Sequence, residues 1–171
     1  MFMALLLSSI AAGLIATSVM LFFLYLPLLW RGAYYDVLGA IGSYFTKEID
    51  ARSRFLGLIF YALIGVVFSL LYGLLALITL NNLDQLTLPS LTLPGIGIEM
   101  NSAFLLFGFA LGLGHGIIVG LIATIVFIEH HPLEHYRKRL ILVISQLISH
   151  IVFGITVMFF QSQFLQLLLR T

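Results

Sequence analysis

The stretch SAFLLFGFALGLGHGIIVGLIATIVFI, residues 102–128, decides the fold. It contains no Asp, Glu, Lys or Arg, and it exceeds the roughly 20 apolar residues a helix needs to cross a bilayer. Within it Gly108, Gly112, Gly116 and Gly120 stand four apart, and Thr124 continues the row. At about 3.6 residues per turn this spacing keeps them near one helix face, where a second backbone can press close. His115 sits near the middle of the same run, an ionisable group where hydrocarbon makes charge most costly.

Three more runs of this kind flank it, at about 3–30, 55–80 and 140–160, and the third run itself covers 102–128. Hydrophobic residues make up 61% of the 171 and charged residues 9%, against roughly a quarter charged in a soluble domain. Lipid must therefore cover most of the surface. The expected fold is all-α: a polytopic membrane protein of one domain, its four transmembrane helices forming two tandem hairpins in a bundle. The first run lacks a basic leader and continues far past Ala16, so it reads as a retained helix rather than a cleavable signal. With no Cys there are no disulfides or thiolate metal sites. A net charge of +1 argues against a nucleic-acid partner, which would need a basic patch.

Lys and Arg set the orientation. Arg31, Lys47, Arg52 and Arg54 lie in the first connection and Arg137, Lys138 and Arg139 in the third, while residues 81–101 carry none. Both termini are thus expected outside, with the first and third connections cytoplasmic; Arg170 is the one opposing charge. The two halves also resemble one another. Gly13-Leu14-Ile15-Ala16-Thr17 recurs as Gly120-Leu121-Ile122-Ala123-Thr124, and Arg54 aligns with Arg139. A parallel repeat of 1–80 on 102–160 follows, in which Ser8 matches His115 and Gly65 matches His150.

Residues 34–45 read as a short interfacial helix capped by Asp36, with Tyr34, Tyr35 and Tyr44 at headgroup level beside Trp30, and with Gly39 and Gly42 limiting its stability. The second connection, with Pro89, Pro94 and Gly95-Ile96-Gly97, reads as extended, a two-stranded flap packing on helix ends or on another subunit. Small residues also line the other helices. Gly57, Tyr61, Gly65, Ser69 and Gly73 stand at fours in the second, Ser9, Gly13, Ala16 and Thr17 in the first, and Ser145, Ser149 and Gly154 in the fourth. Such stripes are read as interhelical packing surfaces.

Two groups of residues are candidates for chemistry. His115 and His150 fall at similar depth on adjacent antiparallel helices, with Gln146 and Ser149 on the same general face as His150. Three roles fit such a pair: axial ligation of a b-type haem, a quinone site or proton relay, or a structural hydrogen-bonded pair. The second group is Glu129-His130-His131-Pro132-Leu133-Glu134-His135-Tyr136. His131, Glu134 and His135 match the H-x-x-E-H metal pattern, with Glu129 or His130 available to complete a Zn²⁺ or Ni²⁺ site. Against this, the motif needs a helix and here it contains Pro132; the alternative is an interfacial turn of offsetting charges. No catalytic set is visible, and all seven acids lie in loops or near helix ends.

The order Ala12-Gly13-Leu14-Ile15-Ala16-Thr17-Ser18-Val19-Met20, Tyr35-Asp36-Val37-Leu38-Gly39 and Ile64-Gly65-Val66-Val67-Phe68, with Gly114-His115-Gly116, resembles small bacterial four-helix membrane proteins. That resemblance implies a compact bundle in the bacterial cytoplasmic membrane and carries over no activity. The leading expectation is a small non-catalytic subunit that assembles with other membrane proteins, or with copies of itself, in a respiratory or photosynthetic type of complex. The alternatives are an electron-transfer or quinone-site subunit using His115 and His150, and a small transporter or channel.

Overall fold

The computed structural model describes residues 2–32, 34–81, 90–93, 98–137 and 141–170. Pro89, Pro94 and Gly95-Ile96-Gly97 of the second connection, and Lys138, Arg139 and Leu140 before the fourth run, lie outside the described residues. Five helices carry the fold: α1 (Phe2–Tyr25), α2 (Val37–Thr46), α3 (Ala51–Asn81), α4 (Ser102–Ala123) and α5 (Ile141–Arg170). All but α2 are long and apolar enough to cross a membrane. Between α3 and α4, β1 (Ser90–Leu93) pairs antiparallel with β2 (Ile98–Asn101), Ser90 opposite Asn101 and Leu93 opposite Ile98.

Helix ends depart from the apolar runs for local reasons. Pro27 lacks an amide donor, so α1 stops at Tyr25 and a 3₁₀ turn, Leu26–Trp30, closes on Arg31 in the left-handed region at φ 56°. At its far end α4 loosens into a π-helical stretch, Thr124–Glu129. The fourth helix overruns its expected end at 160 and continues to Arg170. There Gln161 breaks the apolar run, but it is buried: its Nε2 donates to Ser9 Oγ at 2.7 Å and to the Ser69 carbonyl at 3.3 Å. Polarity at that position ties three helices together rather than ending one.

The helices pack in the order α3, α1, α5, α4. Among the four long helices the most extensive contact is α4 on α5, followed by α1 on α5 and α1 on α3, whereas the contact of α3 with α4 is sparse. Glycines set the close approaches. A Cβ at Gly112 would come within 2.5 Å of the His150 carbonyl oxygen and 2.8 Å of Ile151 Cα. Gly108 faces Gly154, Gly116 meets Leu147 and His150 at 3.1 Å, and Gly120 is buried. The groove along α4 is therefore filled by α5 of the same chain. On the other side a Cβ at Gly13 would lie 2.8 Å from Val66 Cα, and Gly65 lies against the Thr17 side chain. The core joins Ala16, Met20, Tyr72, Phe153 and Val157.

The short helix α2 forms where expected, and its cap is the expected one. Asp36 Oδ1 accepts from the Gly39 amide at 3.0 Å and from the Tyr25 hydroxyl at 2.8 Å, while Oδ2 accepts from Arg54 Nε at 2.8 Å. Burial pushes the Asp36 carboxyl up, but the Gly39 amide, the Arg54 guanidinium and the Tyr25 hydroxyl overcome it and hold it below the usual carboxylate range. One expectation changes here. Gly42 lies against the Ser53 carbonyl and Gly57 against that of Leu38, so Gly42 serves the contact of α2 with α3 rather than simply weakening α2. Tyr35 is buried, and its hydroxyl donates to the Tyr136 carbonyl at 3.2 Å.

Candidate functional site

Close contact between α4 and α5 brings the two sequence-distant histidines together. The ring centroids of His115 and His150 are 4.6 Å apart at an interplanar angle of 77°. Phe68 of α3 stacks on His115 at 3.8 Å and 25°, and the Tyr72 hydroxyl lies 3.0 Å from His115 Nδ1. His150 Nδ1–H donates to the Gln146 carbonyl one turn earlier at 2.7 Å, which leaves its Nε2 with a lone pair. This arrangement does not fit haem. The helices bearing the two rings meet backbone to backbone at Gly112, and Phe68 already covers a face of His115, so no slot between the imidazoles admits a porphyrin.

Because α3 and α4 touch through few side chains, Phe68 and Tyr72 on His115 among them, the histidines face a cavity of about 360 Å³. Its walls are mostly apolar and aromatic, with Met20, Tyr61, Phe68, Val119 and Phe153 among them, and α2 closes one end through Val37 and Ile41. Ile64 on α3 and Ile122 on α4 flank the gap and are 48% and 53% exposed. Two polar side chains in the lining, Thr17 and Gln146, are each only 3% exposed, yet Thr17 Oγ1 and Gln146 Oε1 have no hydrogen-bond partner among the described residues. No carboxylate, Lys or Arg is among the lining residues. The lining offers apolar and aromatic surface together with two imidazoles and the polar groups of Thr17, Tyr61 and Gln146.

The second candidate group takes a different form. Pro132 turns the chain so that His131 enters the core instead of joining Glu134 and His135. Its Nδ1 accepts from the Leu133 amide at 3.0 Å, and its Nε2 lies 3.0 Å from the Ala40 carbonyl, to which it donates. Glu134 and His135 are exposed, and among the described residues no three His, Asp or Glu gather as a metal site. Both ring nitrogens of His131 thus fasten the α4–α5 connection to α2. Beside it, burial pushes the Tyr136 hydroxyl up to about 12.

Sequence reasoning paired His115 with His150 and placed Gln146 near them, but it missed Phe68 and Tyr72 as partners of His115. The signal was the small-residue row of α3: both precede a member of it, Ser69 and Gly73, and so flank the face that row presents. No family model, curated protein or solved structure matches this chain.

Proposed function

We propose that the chain is a non-catalytic, multi-pass protein of the bacterial cytoplasmic membrane that holds a lipophilic molecule in the cleft between α3 and α4. In this reading α1–α3 and α4–α5 are the two tandem hairpins, both termini face outside, and α2 lies along the cytoplasmic interface. The observation that carries the proposal is the cavity of about 360 Å³ beside His115 and His150, bounded by two helices that hardly meet. Its size and apolar walls suit a small-molecule site between bundle helices. A guest would arrive sideways from the hydrocarbon, passing Ile64 and Ile122. The test is solvent extraction and mass spectrometry of protein purified in mild detergent. One lipophilic species near stoichiometric amount is expected, and Val119→Trp, which fills the cavity, should lose it. Absence of any such species, or its retention in Val119→Trp, would refute the reading.

A second reading, as a subunit of a larger membrane complex or a homo-oligomer, is favoured by the outer face of α4. Ala110 and Gly114, one turn apart, are exposed there, and a Cβ added at Gly114 meets nothing within 4 Å. Such a smooth patch suits the close approach of a partner helix. Gly114→Leu should then release partners that co-purify with the parent protein. An unchanged partner profile would count against it.

A further inference from the structure

We infer that the molecule held between α3 and α4 carries a hydroxyl group that donates a hydrogen bond to Gln146 Oε1, which makes it a lipophilic alcohol or phenol. This rests on the cleft reading above and adds the chemistry of the guest. Gln146 is 3% exposed and lines the cavity, and its Oε1 has no hydrogen-bond partner among the described residues. A buried acceptor left without a donor is costly. One turn further along α5, His150 also lines the cavity; its Nδ1–H is committed to the Gln146 carbonyl at 2.7 Å, so Nε2 is a second acceptor. The α5 wall therefore asks for donors.

On the α1 wall, Thr17 Oγ1 is likewise buried, with no hydrogen-bond partner among the described residues. A hydroxyl both gives and takes, so Thr17 can return a hydrogen bond to the guest's oxygen. A hydroxyl on the guest answers both walls: it donates to α5 and accepts from α1. A ketone, quinone or ether brings acceptors only and leaves Gln146 Oε1 unpaired, and a hydrocarbon leaves all of these atoms unpaired. The flat rings of Phe68, Tyr61 and Phe153 favour a planar head over a branched one. Between Ile64 and Ile122 the gap leaves an exit for an aliphatic tail into lipid.

The test uses the full chain in dodecyl maltoside and two probes, 4-octylphenol and its methyl ether 4-octylanisole, which share ring, tail and ring-bound oxygen and differ in one methyl group that replaces the donated hydrogen. Each is offered at the same mole fraction in detergent and its binding is read by equilibrium dialysis. One added hydrogen bond of ordinary strength predicts that the phenol binds about 2- to 10-fold tighter than the ether. Gln146→Leu should bring that ratio to near one, and Thr17→Val should weaken both probes while keeping the ratio. Gln146→Met, the closest isostere without a strong acceptor, serves the same purpose if the Leu variant fails to fold. Equal binding of the two probes to the parent protein would overturn the inference, as would a ratio unaffected by replacing Gln146. If Val119→Trp weakens both probes while the ratio in the parent protein is one, the hydroxyl assignment fails and the cleft stands. If neither probe binds the parent protein, the cleft reading falls with it.

Discussion

Replacing Gly112 with Ala adds one methyl group at a close backbone approach between α4 and α5. That carbon would lie 2.5 Å from the His150 carbonyl oxygen and 2.8 Å from Ile151 Cα. Both neighbours are backbone atoms of a helix, so neither can rotate away. Ordinary contact needs about 3.5 Å or more, so the two axes must part by most of an ångström along the row from Gly108 to Gly116. Overpacking of this kind costs about 1–3 kcal/mol. For a chain of this size that is a fall of roughly 2–12 °C in melting temperature. Gly114→Ala is the matched control: same helix, same chemical change, and no atom within 4 Å of the new carbon. Helix propensity alone favours Ala over Gly by up to about 1 kcal/mol, so Gly114→Ala should be neutral or slightly stabilising. Thermal denaturation of both variants in one detergent, followed by circular dichroism or by loss of the monodisperse peak, decides the matter. Equal melting temperatures for the two variants would refute the claim that the α4 groove is filled by α5.

Three further outcomes follow from the end of the bundle that bears α2. Asp36→Ala removes the cap on Gly39 and should cost about 1–2 kcal/mol, the half-exposed Arg54 contributing little of it. Because Asp36 titrates below its unfolded value, the charge-dependent part of its stabilisation is present above a pH of about 4 and is lost as pH falls through the lower folded value; the gap in melting temperature between parent and Asp36→Ala should therefore be smaller at pH 3 than at pH 7, and a gap of equal size at both would contradict the assignment. Tyr35→Phe should lower stability by about 0.5–1.5 kcal/mol through loss of the bond to the Tyr136 carbonyl, and no change in melting would show that bond to be dispensable. His131→Phe strands the Ala40 carbonyl and the Leu133 amide and should cost about 1–3 kcal/mol, whereas Zn²⁺ added to the parent protein should leave its melting temperature unchanged; a zinc-dependent rise would restore the metal reading.

Features written in local sequence were legible. Asp36 three residues before Gly39 fixes a cap through atoms close in the chain, whereas Pro27 lies inside the run read as 3–30 and ends α1 short of it, at Tyr25. His115 and His150 could be paired because two antiparallel runs of known length place them at equal depth. Features that depend on which helices meet were not. The rows at Gly108–Gly120 and at Gly57–Gly73 look alike as letters, yet the first meets α5 along its length while the second meets α2 at Gly57, α1 at Gly65 and the Gln161 side chain at Gly73. His131 matched a metal pattern by spacing, but Pro132 redirects it towards α2. The cleft itself arises because α3 and α4 meet through little more than Phe68 and Tyr72 on His115, and no residue type announces so sparse a contact.

The pairing of α1 with α5 bears on how the chain is made. Helices leave the ribosome in order, so α1, with Ser9 and Thr17 on its inner face, is made long before α5 exists. Ser9 meets Gln161 across 152 residues of sequence. Until then a nascent chain holding α1 to α4 has α4 without the backbone that fills its groove and α1 without its larger neighbour. Biogenesis is thus gated by α5, and an insertase or chaperone that shields polar helix faces would be needed most in that interval. A ribosome stalled before Ile141 should leave a product that membrane quality-control proteases recognise.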